Sequence, residues 1–175
     1  FTFSVFGSSE SPIAVVFDVS DLSRILPDGQ GKLRGKGSLL LADNVWLSEV
    51  YAYGNMLAYQ DVVAKKITLH LKKKSIDQGQ PFVARIFVDE ITCQGNALNQ
   101  LEIDLTSLSQ QHYSLVVNAD GGALETTAGR LPLKLIDGNA VWNEQGLTSQ
   151  FRMETVDFGR LSIEAGSVSP PSLDW

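Results

Sequence analysis

The chain has 175 residues, 43% hydrophobic and 19% charged, which bounds it as one sizeable globular domain rather than two. A formal charge of -6 and a pI near 4.8 argue against a nucleic-acid partner, because phosphates want a basic surface. No apolar run approaches the roughly 20 residues of a membrane-crossing helix, and the single cysteine, Cys93, excludes an internal disulfide.

The pattern that returns along the chain is alternation with period two. In Leu101-Glu102-Ile103-Asp104-Leu105-Thr106 the odd positions are apolar and the even ones polar. Ile67/Leu69/Leu71, Tyr113/Leu115/Val117/Ala119 and Leu131/Leu133/Leu135 repeat it. Successive side chains on a strand point to opposite faces, so such runs build a sheet with one apolar and one wet face.

Taken in order, the strands are expected near 1–6, 12–19, 31–41, 45–53, 62–73, 81–93, 98–106, 112–120, 129–136, 148–155 and 159–165. Phe1-Thr2-Phe3 opens without Met or a leader and reads as a piece of a longer or processed protein. The one helical segment is 20–26, with Ser20 as cap and Pro27-Asp28-Gly29 as stop.

Short connections follow. Gln78-Gly79-Gln80-Pro81, Ser109-Gln110-Gln111, Asp120-Gly121-Gly122 and Asp137-Gly138-Asn139 all read as hairpin turns. Short turns imply neighbour-to-neighbour antiparallel pairing, so the expected fold is all-β: a twisted antiparallel meander curled into an open groove, with one short helix. Gly-basic-Leu recurs at Gly31-Lys32-Leu33, Gly129-Arg130-Leu131 and Gly159-Arg160-Leu161, each opening an alternating run. The domain is expected to cover 1–166. The tail 167–175, with Pro170-Pro171, reads as a linker because consecutive prolines cannot pair in a ladder.

Catalytic machinery is not expected. His70 and His112 lack a third ligand at metal spacing, and Cys93 reads as a small buried apolar residue. Neither a nucleophile elbow nor a phosphate loop is present, so no metal and no cofactor is implied. Glu102 and Asp104 stand roughly 7 Å apart on one strand face, a spacing that a glycosidase pair could use, but that face reads as hydrated. Lys72-Lys73-Lys74 reads as a strand end blunting an exposed edge, with anionic headgroups as the alternative. Trp46, Tyr51, Tyr53, Tyr59 and Trp142 are candidates for sugar stacking, weighed against packing around or rimming the apolar face.

The candidate lining of that face is Ile67, Leu69, Leu71, Phe82, Ile86, Val88, Leu101, Ile103, Leu105, Leu115, Val117, Leu131, Leu133, Leu135, Phe151 and Met153. Alternation leaves two fates open for each: a closed core or an open groove.

Several phrases carry a resemblance. Asp21-Leu22-Ser23-Arg24-Ile25-Leu26-Pro27 is followed by Gly31-Lys32-Leu33-Arg34-Gly35-Lys36-Gly37, a helix-then-Pro opening and a Gly-x-Leu-x-Gly-x-Gly strand. Further on stand Tyr53-Gly54-Asn55-Met56-Leu57-Ala58-Tyr59-Gln60, then Leu98-Asn99-Gln100-Leu101, Gln111-His112-Tyr113-Ser114-Leu115 and Ala140-Val141-Trp142. From Leu22 to about Ile163 the chain resembles the β-groove region of the TamB family, relatives of AsmA. After Leu39-Leu40-Leu41 it departs, with Ala42-Asp43-Asn44 where that family has a Gly-Thr and Pro turn.

The resemblance implies a periplasmic segment of a bacterial envelope protein anchored in the inner membrane. Its partners would be lipid acyl chains, shielded during phospholipid transport to the outer membrane, and an outer-membrane barrel of the TamA type. It implies no enzyme. Two other classes stay open: an assembly module pairing through sheet edges, and a carbohydrate-binding or glycosidase-like β domain.

Overall fold

The computed structural model describes residues 2–7, 12–42, 45–73, 81–109, 112–144 and 146–166. Strand β1 is Thr2–Phe6, β2 Ile13–Val19, β3 Gly29–Ala42, β4 Val45–Tyr59, β5 Val62–Lys73 and β6 Phe82–Cys93. Then come β7 Asn96–Ser109, β8 His112–Ala119, β9 Gly122–Thr126, β10 Gly129–Asn143, β11 Gly146–Thr155 and β12 Gly159–Gly166. All belong to one twelve-stranded sheet, and every pairing in it is antiparallel. The all-β meander expected from the alternation is the fold.

The helix is reduced to a single 3-10 turn at Leu22–Arg24. Asp21, not Ser20, caps it, accepting hydrogen bonds from the Ser23 backbone N–H (3.1 Å) and hydroxyl (2.7 Å). Its Leu22 is buried and lies beside Gly29, where β3 begins.

Two turn assignments fail, for one reason. Asp137-Gly138-Asn139 is not a hairpin but the interior of β10, where Gly138 pairs with Val117 of β8 on one side and Phe151 of β11 on the other. Neighbours on both edges supply a ladder that outweighs the local turn preference. Asp120-Gly121-Gly122 does not reverse the chain either. β8 and β9 lie in line, and both sit between β7 and β10. They share one rung, so the twelve strands occupy eleven rungs. β9 is therefore a strand absent from the expected set, and β4 and β10 run further than the alternation suggested. The connections at 74–80 and 110–111 and the tail 167–175 lie outside the described residues.

Residues directly opposite in an antiparallel ladder share a face, so a row can be followed across the sheet. One row reads Phe3, Phe17, Gly35, Ala52, Leu69, Ile86, Ile103, Val117, Gly138 and Phe151. The adjacent row on the other face reads Thr2, Asp18, Arg34, Tyr53, Thr68, Phe87, Glu102, Asn118, Asp137, Arg152 and Ser162. The separate alternations have been brought into register as one apolar and one largely polar face.

A crease crosses this sheet. Met56 in β4, Lys66 in β5 and Gln100 in β7 have φ of 52°, 47° and 49°, the left-handed region that costs a non-glycine residue about 1 kcal/mol or more. Each extra residue preserves the face of the strand across the interruption: Gly54 and Leu57, Ala64 and Ile67, Val88 and Ile91, Leu98 and Leu101 are mutually paired on both sides of it. The break between β8 and β9 continues the line, with Asn99 N–H donating to Gly121 O and Asp120 N–H to Asn99 O. Irregular rungs bend a strand and sharpen its twist. The buried cluster of Ala64, Val88, Leu101 and Ala119 gathers at these irregular rungs, with Ile91, Leu98 and Ile67 packed around.

Candidate functional site

The candidate site is the apolar face. Ile67, Leu69, Leu71, Phe82, Ile86, Val88, Leu101, Ile103, Leu105, Leu115, Val117, Leu131, Leu133, Phe151 and Met153 fall on it by register. Leu135 does not. An irregular rung between Leu133 and Leu135 sets Leu135 across from Glu154, while Ile136 takes the apolar position opposite Ala119 and Met153. The inserted residue shifts the side-chain parity by one, which strict counting along Leu131/Leu133/Leu135 cannot anticipate. Ile136 is thus a lining residue that the alternation missed. Its signal was the three-residue step from Leu133, the same step seen at Leu98–Leu101.

Among the described residues no second layer of this chain lies over the face. Val88 is 3% exposed, Leu101 6% and Ala119 1%, all at the crease. Away from it Leu69, Ile86, Ile103, Leu105 and Val117 are only half-buried, and at the first edge Phe3 and Val5 are each 56% exposed.

Small residues thin the face near both margins, and an aromatic ring from the next strand covers two of them. A Cβ placed on Gly35 would lie 2.1 Å from Phe17 Cζ, and one on Gly138 would lie 2.2 Å from Phe151 Cδ1. The rings lie on glycine backbone, so a larger residue at Gly35 or Gly138 would require the Phe17 or Phe151 ring to move.

The opposite face is wet and internally neutralised. Arg85 is clamped by Asp104 (2.6 Å) and Glu102 (3.5 Å), Arg34 meets Asp18 at 2.8 Å, and Arg152 meets Asp137 at 2.6 Å. The hydrogen bonds that Arg85 donates to the Asp104 carboxylate raise the Arg85 pKa above its ordinary value. Glu102 and Asp104 therefore act as an ion-pair clamp on an outer face. Glu49 accepts from Tyr51 (3.0 Å) and is 2.9 Å from His70 Nε2, and the Tyr51 and His70 rings stack at 4.2 Å. His70, then Tyr51, hold the Glu49 carboxyl below its usual range, and Glu49 pushes the Tyr51 phenol up.

Of the aromatic candidates, Tyr51 and Tyr53 belong to this polar face and border a shallow hollow of about 400 Å³ with Val16 and Lys36. They do not rim the apolar face. Trp142 does lie on it, 6.1 Å from Tyr113. The side chain of Trp46 lies outside the described residues. Lys72 and Lys73 end β5, an interior strand between β4 and β6, so they protect no sheet edge; Lys74 lies outside the description. Cys93 is half-buried at the end of β6. Among the described residues no three His, Cys, Asp or Glu converge as metal ligands, and no helix is long and apolar enough to cross a membrane.

The geometry defines a single-layer, two-faced antiparallel sheet. Compared with known proteins, the chain matches no family model, no curated protein and no solved structure.

Proposed function

We propose that this chain is a β-groove segment that shields lipid acyl chains, and that it is not an enzyme. The observation that carries the reading is the apolar face: continuous over the rungs of a twelve-stranded sheet and uncovered by the described residues. An acyl chain laid on it gains about 0.8 kcal/mol per buried methylene. The face offers mainly aliphatic side chains in its middle, so no directional contact holds the chain at one place and it can slide. The TamB-like phrases are the second support, and Leu98-Asn99-Gln100-Leu101 among them is a step of the crease. On this reading the segment works in the periplasm, in phospholipid transport between the two membranes, with an outer-membrane barrel as its assembly partner.

The test is native mass spectrometry of the purified chain with phospholipid, beside crosslinking from a photoreactive residue at Ile103. Lipid-sized adducts are expected, and Ile103→Asp or Val117→Asp should abolish them while far-UV circular dichroism stays that of a sheet. Absence of adducts, or adducts unchanged in the folded variants, overturns the proposal.

A further inference from the structure

We infer that the polar face carries a second binding site, over strands β2 to β5, for a polysaccharide of alternately acidic and neutral sugars. Tyr51 and Tyr53, two of the aromatic residues that could stack on sugars, stand two residues apart on β4 and so about 7 Å apart on one face. Shielding of acyl chains has no use for them, because they lie opposite the apolar row. They are 40% and 48% exposed, and with Val16, Asp18, Arg34 and Lys36 they border the hollow of about 400 Å³. That volume falls within the roughly 300–1,000 Å³ of small-ligand sites. Each of β2, β3, β4 and β5 is paired on both sides, so the hollow lies inside the sheet and not at an edge.

Each tyrosine meets a cation across the ladder, Lys36 opposite Tyr51 and Arg34 opposite Tyr53. Lys36 Nζ lies 5.8 Å from the Tyr51 ring centroid, within cation–π range, and His70 of β5 stacks on the same ring at 4.2 Å. Tyr51 is thus a wall fixed in place by the strands on either side of it. Lys32 is exposed on the same face of β3, two residues before Arg34. The acid bordering the hollow, Asp18, pairs with Arg34 at 2.8 Å, and Glu49 is engaged by Tyr51 and His70. Among the described residues no carboxylate pairs with Lys32 or Lys36. In a chain of net charge -6, this strip of β3 is locally positive.

The order along β3 is therefore cation, neutralised pair, cation, with Lys32 and Lys36 about 13 Å apart along the strand. The matching ligand carries carboxylates at its two ends and hydroxyls between them. Each lysine takes a carboxylate as a charge-assisted hydrogen bond. The middle sugar lays its C–H face against Tyr53, donates a hydroxyl to Asp18 and accepts from Arg34, whose guanidinium has several N–H donors. The hollow is too shallow to enclose a small molecule, so a single sugar gains little there. A polymer engages both lysines and the tyrosine at once, and linked contacts multiply affinity. A nucleic-acid strand carries a phosphate on every unit, which sets one against Asp18 in a protein that is already anionic.

Isothermal titration of the full chain at low salt with a hyaluronan hexasaccharide, whose sugars alternate acidic and neutral, is expected to give a Kd on the order of 100 μM. Lys36→Glu should weaken binding about tenfold and Lys36→Arg should preserve it, because the charge is what the carboxylate reads. Tyr53→Ala should also weaken it about tenfold. Maltohexaose, which is neutral, should give no measurable heat at the same concentrations. Circular dichroism reports that each variant is folded, and the exposed Lys36 decides the matter if Tyr53→Ala does not fold. No binding of the hexasaccharide, equal binding of maltohexaose, binding of hexathymidylate as tight as that of the hexasaccharide, or affinity unchanged in folded Lys36→Glu overturns the proposal. The site lies on the face opposite the acyl-chain rows, so none of these outcomes bears on the lipid adducts.

Discussion

The two stretches of the apolar face, at the crease and away from it, are built from the same kind of residue and end in different environments. Val88 and Leu101 sit beside the left-handed residues Lys66 and Gln100 and are almost wholly buried, although among the described residues no second layer covers them. Ile86 and Ile103, two residues along the same strands and paired with each other, remain half-buried. The difference follows the irregular rungs: the buried cluster of Ala64, Val88, Leu101 and Ala119 gathers beside them, whereas away from them the large side chains stay half-buried and only small ones such as Ala52 and Ala84 are buried. A single sheet can thus supply both its own stability and an uncovered surface, provided the two are kept at different points along the strands.

The comparison breaks most readily by placing a charge in each stretch. Val88→Asp buries an unpaired carboxylate in the cluster and should cost on the order of 4 kcal/mol, enough to unfold a marginal domain. Ile103→Asp keeps partial hydration and should cost about 1–2 kcal/mol in urea unfolding. Equal losses would mean that the straight stretch is as covered as the creased one.

The crease itself can be sharpened or opposed at Gln100, whose φ of 49° suits glycine. Gln100→Gly should stabilise by up to about 1 kcal/mol, and Gln100→Val should lose about 1–2 kcal/mol, because a β-branched residue resists the left-handed region. If Gln100→Val is neutral, the strand does not need that conformation and the bend has another origin.

The smallest effect belongs to the wet face and its pH dependence. Arg160 holds the Glu154 carboxyl below its usual range, and His70 does the same for Glu49. A depressed carboxyl contributes stability that is present above its unfolded pKa and lost as pH falls through the folded one. Stability should therefore decline once pH drops below the ordinary glutamate range near about 4.3. Glu154→Gln should make that acid limb shallower in thermal melts followed by circular dichroism. Both groups are solvent-exposed, so the change is slight and shrinks further in salt. An acid limb unchanged by the substitution would place the acid sensitivity elsewhere.

Much of this was legible in the residues. Leu101/Ile103/Leu105 and Ile67/Leu69/Leu71 announced strands and their apolar side, and Glu102 and Asp104 announced the wet side. Leu135 was misplaced because counting by two assumes an unbroken pleat, and the extra residue in β10 broke it. Asp137-Gly138-Asn139 was misread because turn chemistry is local, whereas Gly138 is held extended by strands 21 residues before it (Val117) and 13 after it (Phe151). The step Leu98–Leu101 stood in plain view, but a three-residue apolar spacing in one strand carries no sign of matching steps in its neighbours.

By itself, then, the order of side chains determined which face of each strand is apolar, because a period of two is a property of one strand and its immediate pleat. Only the tertiary structure decided that these faces coincide across eleven rungs, that the irregular positions line up into one crease, and that the described chain leaves the result uncovered. Those are matters of hydrogen-bond register between strands, and register is set by pairing partners distant in the chain rather than by any residue's neighbours in sequence.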